Sequence, residues 1–187
     1  IRATLESGDA DRLQALFKSS ESRPTVVPLG RVEFDLGVGA RLDTAVLDLA
    51  TGALDIRVAK GRRAFAIRMV MDVETGALHI AWPRELKPAA VCVPAWDGLR
   101  ADFESRGFAP PPRFAAADFG GWVQTLPRDP AVVCAWTTQR GESALVVFRP
   151  EATEEDAVLA ETAGALADAW TRGFARTARA AAAWWKA

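Results

Sequence analysis

Hydrophobic and polar positions recur along this chain with two different periods, and the change of period divides it. Between Arg31 and Trp82 the period is two in three runs: Val32, Phe34 and Leu36 against Arg31, Glu33 and Asp35; Leu54, Ile56 and Val58 against Asp55 and Arg57; Phe65, Ile67, Met69, Met71 and Val73 against Ala66, Arg68 and Asp72. A period of two buries one face of a strand and leaves the other largely solvated. The breaks at Gly37-Val38-Gly39, Thr51-Gly52, Gly61-Arg62 and Thr75-Gly76 are hairpin-sized, so the segment predicts a five-stranded antiparallel meander. From Thr153 to Lys186 the period becomes helical. Leu159, Ala163, Leu166, Trp170, Phe174, Thr177, Ala181, Trp184 and Trp185 share one side, and Glu161, Asp168, Arg172, Arg176, Arg179 and Lys186 the other. Thr153 and Asp156 approximate a capping box, with acids in the first turn and cations late, as the helix dipole favours. About 32 helical residues would run about 48 Å, longer than a small domain is wide, so part of the stripe is expected to overhang its own sheet.

The remaining elements are shorter. Ala3 to Lys18 predicts a first helix with Leu5, Leu13, Leu16 and Phe17 as its apolar positions. Its phrase Leu5-Glu6-Ser7-Gly8-Asp9-Ala10 resembles the opening helix of NTF2-like domains, although strands follow at once where that family places more helix. Lys87 to Ala95 holds a short apolar run. Asp97 can cap a brief helix from Gly98 to Arg106, with Leu99 and Phe103 inward and Gly107 ending it. Ala131 to Thr138 and Ser143 to Arg149 read as a hairpin around Gln139-Arg140-Gly141-Glu142. The expectation is one α+β domain over residues 1–187: a mostly antiparallel sheet, meander plus later hairpin, covered on one face by the C-terminal helix, with the N-terminal helix near an edge or end. The order of elements is broadly similar to that of small secretion-chaperone-like domains, a resemblance that implies dimerisation and an extended client.

An internal echo bears on register. Asp48-Leu-Ala-Thr-Gly-Ala-Leu-Asp55-Ile recurs as Asp72-Val-Glu-Thr-Gly-Ala-Leu-His79-Ile. If each Thr-Gly is centred in its turn, Asp48 faces Asp55 and Asp72 faces His79. A Gly61-Arg62 turn then brings Arg68 beside Asp55, relieving the like-charge pair in an Asp48, Asp55, Arg68 row on the outer face.

Charge and cysteine content narrow the classes. Net charge is −1 over 187 residues, half of them hydrophobic, so a sizeable core is affordable and the basic footprint of nucleic-acid binding is missing. Alanine and arginine abundance points to a GC-rich, bacterial-type coding sequence. Cys92 and Cys134 each sit in an apolar run, which favours two buried thiols and leaves a single bridge open in an oxidising compartment. With the lone His79 they cannot complete a four-ligand zinc site, and no metal or cofactor motif is present. No run approaches the ~20 apolar residues that cross a bilayer. That points to the cytoplasm, while the start at Ile1 without methionine leaves export open.

The candidate chemistry is sparse. His79, oriented by Asp72, is the one pairing suited to acid-base work, but no nucleophile accompanies it and an Asp-His pair across a hairpin is ordinary. Arg57, Lys60, Arg62 and Arg63 form a basic hairpin tip that could contact an anion or simply solubilise a turn. Trp170, Phe174, Trp184 and Trp185 can pack as core, anchor an interface, or rest on a membrane surface with the late cations meeting anionic lipid. Met69, Met71, Trp82 and Trp136, with Trp170, could line a pocket between helix and sheet. The leading expectation is a non-enzymatic, self-associating binding or adaptor domain that engages a protein through its sheet face or aromatic helix. A carrier of a small apolar ligand or lipid comes second, and an enzyme using Asp72 and His79 third.

Overall fold

The computed structural model describes residues 28–86, 89–125 and 130–186, with Gly8, Asp11 and Arg12; the expected first helix lies otherwise outside the described residues. In chain order the elements are β1 (Gly30–Asp35), β2 (Ala40–Asp48), β3 (Ala53–Lys60), β4 (Arg63–Met71), β5 (Leu78–Ala81), β6 (Ala89–Pro94), α1 (Trp96–Ser105), β7 (Arg113–Ala115), β8 (Phe119–Gln124), β9 (Val132–Gln139), β10 (Glu142–Phe148) and α2 (Glu155–Trp184). Eight strands form one antiparallel sheet in the order β2-β3-β4-β5-β10-β9-β8-β7, and β1 pairs with β6 in a separate ribbon. The fold is α+β, with the long C-terminal helix packed on the sheet.

Strand alternation explains why there are three layers. On one face, Val133, Ala135, Ala144 and Val146 pack against Val158, Leu166 and Ala169 of α2, and Val70 packs against Phe174 and Ala181. On the other, Val58, Ile67 and Ile80 meet Phe34 and Leu36, while Trp122 and Cys134 meet Val32 and Cys92 of the ribbon. The expectation of a five-stranded meander with one solvated face is therefore corrected. The meander is β2 to β5, and β1 crosses to lie over the second face. Gly37 and Gly39, both at φ +77°, let the chain turn out of the sheet plane between β1 and β2.

Strands β7 and β8 complete the sheet beyond the predicted hairpin. A side chain on Gly121 would collide with the Phe114 ring and the Cys134 carbonyl, so its glycine permits close layering. The β9–β10 hairpin turns at Arg140 and Gly141, both at positive φ, as expected from the sequence. In α1, Trp96 and Phe103 are buried, but Leu99, expected inward, is exposed at a non-helical φ of −126°. Asp97 pairs with Arg113 on β7 and makes no cap; the cap position is Ala95.

The helix α2 also departs from a continuous stripe. Its buried residues are Val158, Thr162, Leu166, Ala169, Phe174, Thr177 and Ala181. From Ala169 to Phe174 the step is five residues, where an unbroken helix allows three or four. Gly173, at φ 62° and ψ 162°, makes the difference by breaking the helical conformation. Leu159 and Ala163 therefore fall outside the buried seam, and Glu154 holds the cap position expected for Thr153. The Gly173 backbone lies where only glycine is comfortable, at a cost to other residues of about 1–3 kcal/mol. Gly173→Ala is expected to lose about that much stability in urea denaturation; an unchanged midpoint would show that the helix straightens without loss.

Candidate interaction groove

The two copies of the internal echo fold into the same turn. In the first, the Asp48 carbonyl accepts the Gly52 N–H at 2.8 Å and its carboxylate accepts the Ala50 N–H at 2.9 Å and the Thr51 hydroxyl at 2.8 Å. In the second, Asp72 accepts the Gly76 N–H at 2.8 Å and the Glu74 N–H at 2.9 Å. Gly52 at φ +66° and Gly76 at φ +71° close the loops. Each loop thus has four residues, and Asp48 faces Ala53 while Asp72 bonds to Ala77. The registers Asp48 to Asp55 and Asp72 to His79 are corrected, because the aspartate cap draws one more residue into the turn on its N-terminal side than a centred Thr-Gly would. The Asp55–Arg68 pairing stands, at 2.8 Å, but on the face against which α2 packs and not on an outer face, and Asp48 stands outside its row, opposite Ala53.

That turn geometry projects Leu49 and Val73 from equivalent positions. Between them comes the end of α2. Trp185 lies directly over Gly52, where any Cβ would strike the indole, and Trp184 meets Trp185 edge-on at 4.9 Å. Leu47, Leu49, Met71, Val73, Trp184 and Trp185 surround a groove of about 480 Å³. Leu49 is 74% exposed, Trp184 58% and Trp185 51%, so three large apolar side chains stand in solvent around one depression.

Charge pins the helix beside this groove. Arg172 donates to Glu74 at 2.6 Å and to Asp72 at 3.3 Å, tying α2 to the β4–β5 turn immediately before Gly173. Burial acts to raise the Asp72 pKa, but the Glu74 and Thr75 N–H groups and the Arg172 guanidinium outweigh it and hold the carboxyl below its ordinary value. The Asp48 carboxyl is also held down, chiefly by the Thr51 hydroxyl and then by the Ala50 N–H, with Lys186 adding to the effect.

The other sequence candidates scatter. His79 is 2% exposed on β5, opposite Val70 and Ala144; burial lowers its pKa, and its Nε2 has no hydrogen-bond partner. Phe174, expected at an interface, is core, with the Arg68 guanidinium 5.4 Å above its ring. Trp170 is half-buried beside Phe119 and Leu166 along a cleft of about 280 Å³, and a second of about 220 Å³ borders Phe114 and Leu159. Met69, Trp82 and Trp136 lie on the ribbon side of the sheet, so the expected pocket between helix and sheet cannot be theirs. Met71 instead borders the groove. Among the basic residues, the Lys60 ammonium is bound to the Leu36 carbonyl at 2.7 Å, while Arg57, Arg62 and Arg63 are exposed without converging on a pocket among those described. Cys92 and Cys134 are free and buried in one cluster, each thiol pushed up to about 12 by burial. Leu47, Leu49 and Val73 were missed; apolar residues repeated at a turn tip, where polar ones are usual, were the available signal. Among the described residues, no cluster of acidic, histidine and cysteine side chains is placed to hold a metal, and no helix is long and apolar enough to cross a membrane.

No protein-family model matches this sequence, and no curated protein does either. Among solved structures, the fold is similar to one named "Putative kojibiose phosphorylase from human microbiome", with a TM-score of 0.50 and 9% identity. The match covers 79% of this chain and 24% of that one, so the chain spans about a quarter of its neighbour's length. At that identity the likeness concerns the fold alone.

The lone histidine gives a clean pH test. A folded-state pKa below the unfolded value of about 6.5 means that the unfolded chain binds the extra proton, so stability falls as pH drops below about 6.5. Urea unfolding should therefore show a lower midpoint at pH 5.5 than at pH 7.5. His79→Leu should abolish that slope; a slope that persists would assign it to another group.

Proposed function

We propose that this chain is a non-enzymatic docking module that engages a protein partner through the groove between the two echo turns and the end of α2. The observation that carries this reading is the contiguous apolar rim of Leu47, Leu49, Met71, Val73, Trp184 and Trp185, exposed around a volume that fits one or two large side chains. Scattered apolar residues on a surface need no explanation, but a concentrated patch with paired tryptophans has the composition of an interaction anchor. The partner suited to it presents an aliphatic or aromatic knob. The turns are held by their own aspartate caps, so the rim is preorganised and little ordering entropy opposes docking. Acid-base chemistry by His79 is disfavoured by the helix that covers it. A small-ligand carrier would instead use the cleft of about 280 Å³ beside Trp170.

A photo-crosslinking residue at Leu49, with Ala64 on β4 as the exposed control, tests the reading in cells. Leu49 should give one discrete adduct with a different polypeptide or a further domain, lost in Trp184→Ser/Trp185→Ser, while Ala64 gives none. Equal labelling at both positions, or adducts at Leu49 only with copies of this chain, would overturn it. The same double substitution should leave the thermal midpoint within a few degrees, since exposed side chains contribute little to stability.

A further inference from the structure

The edge strand β2 pairs with β3 on one side and, among the described residues, with nothing on the other. Eight of its nine residues are exposed and Ala40 is half-buried; Leu42 is 62% exposed and Leu47 56%. A long apolar edge of this kind is a template for another strand unless charges or a bulge block it. Here both blocking devices are present, and both are self-complementary.

The side-chain directions follow from the pairing with β3. Arg41, Thr44, Val46 and Asp48 stand opposite Ala59, Arg57, Asp55 and Ala53, on the α2 face of the sheet. Leu42, Ala45 and Leu47 stand opposite Val58, Ile56 and Leu54, on the ribbon face. Asp43 is the extra residue where the register shifts between Leu42 and Thr44. A second β2 laid antiparallel about a two-fold axis at Ala45 puts Ala45 opposite its own copy and Thr44 opposite Val46. With Asp43 bulged out on each strand, Leu42 then falls opposite Leu47 and Arg41 opposite Asp48. Every pair lies on a common face, and two-fold symmetry makes each unlike pair occur twice. Moving the axis between Thr44 and Ala45 sets residues of opposite faces against each other. Moving it to Val46 carries Arg41 past the end of the strand and leaves Asp48 opposite Thr44.

We propose that two copies of this chain associate through the outer edges of β2 in that register, joining their sheets into one antiparallel sheet. Leu42–Leu47 pairs cover the exposed leucines on one face, Arg41–Asp48 pairs set opposite charges together on the other, and Asp43 stays at the bulge without a cross-strand partner. Cross-strand apolar and opposite-charge pairs are the unit of sheet stabilisation. The pairing goes beyond the groove reading and does not depend on it, although Leu47 borders both surfaces.

Sedimentation velocity across a dilution series should show a species of twice the 20.1 kDa chain mass that dissociates on dilution. Leu42→Lys puts a cation opposite each Leu47 and should raise the dissociation constant at least about tenfold; because Leu42 is exposed, circular dichroism should show the fold intact. Ala45→Cys sets two thiols face to face at the axis, and with diamide as oxidant it should yield a covalent dimer, whereas Ala64→Cys should not. The native cysteines are buried and do not interfere. Trp184→Ser/Trp185→Ser should leave this dimer intact, which separates it from failure of the groove reading. A monomer at every concentration, or a dimer that withstands Leu42→Lys and does not crosslink from position 45, would overturn the proposal.

Discussion

A sheet with apolar side chains on both faces has to be covered twice, and the two covers here differ in kind. One is a helix, which supplies its own backbone hydrogen bonds and needs only an apolar seam. The other is the β1–β6 ribbon, which satisfies part of its backbone by pairing with itself before it can lie on anything. Everything else follows from where these covers reach. Over Val133, Ala135 and Ala144 the helix is closely seated, and over Val58 and Ile67 the ribbon is. Neither extends fully over β2, which is left with its leucines in solvent.

What could be read from residue order is what depends on neighbours in sequence. The strand positions of β2 to β5, the β9–β10 hairpin, the long helix and the Asp55–Arg68 pair all follow from alternation or from a short turn. The β1–β6 pairing joins segments more than fifty residues apart, and no local pattern distinguishes a strand in the sheet from one lying across it. Turn register was the other failure. Asp48 and Asp72 read as strand residues, yet each spends its carboxylate on the N–H two residues ahead, and that bond sets the loop length. Glycines obscured β8, because residues that weaken a strand by propensity are here the ones that let Phe114 and Trp136 lie against it.

The candidate site was only half legible for the same reason. Trp184 and Trp185 stood out at the end of an overlong helix. Their partners Leu49 and Val73 became visible only once the two turns were known to be the same turn. Phe174 was assigned to the same aromatic face as the tryptophans by a period that assumes an unbroken helix, and the break at Gly173 divides that face. Phe174 is the first buried residue after the break, and the tryptophans lie at its far end.

Gly173 therefore separates two stretches of helix with different attachments. Before it, Val158, Thr162, Leu166 and Ala169 seat the helix on β9 and β10, and Arg172 fastens it to the β4–β5 turn. After it, Phe174, Thr177 and Ala181 are the buried residues. The two stretches therefore bury separate seams, the earlier against Val133, Ala135, Ala144 and Val146 and the later against Val70, so one helix closes two distinct parts of the same sheet face.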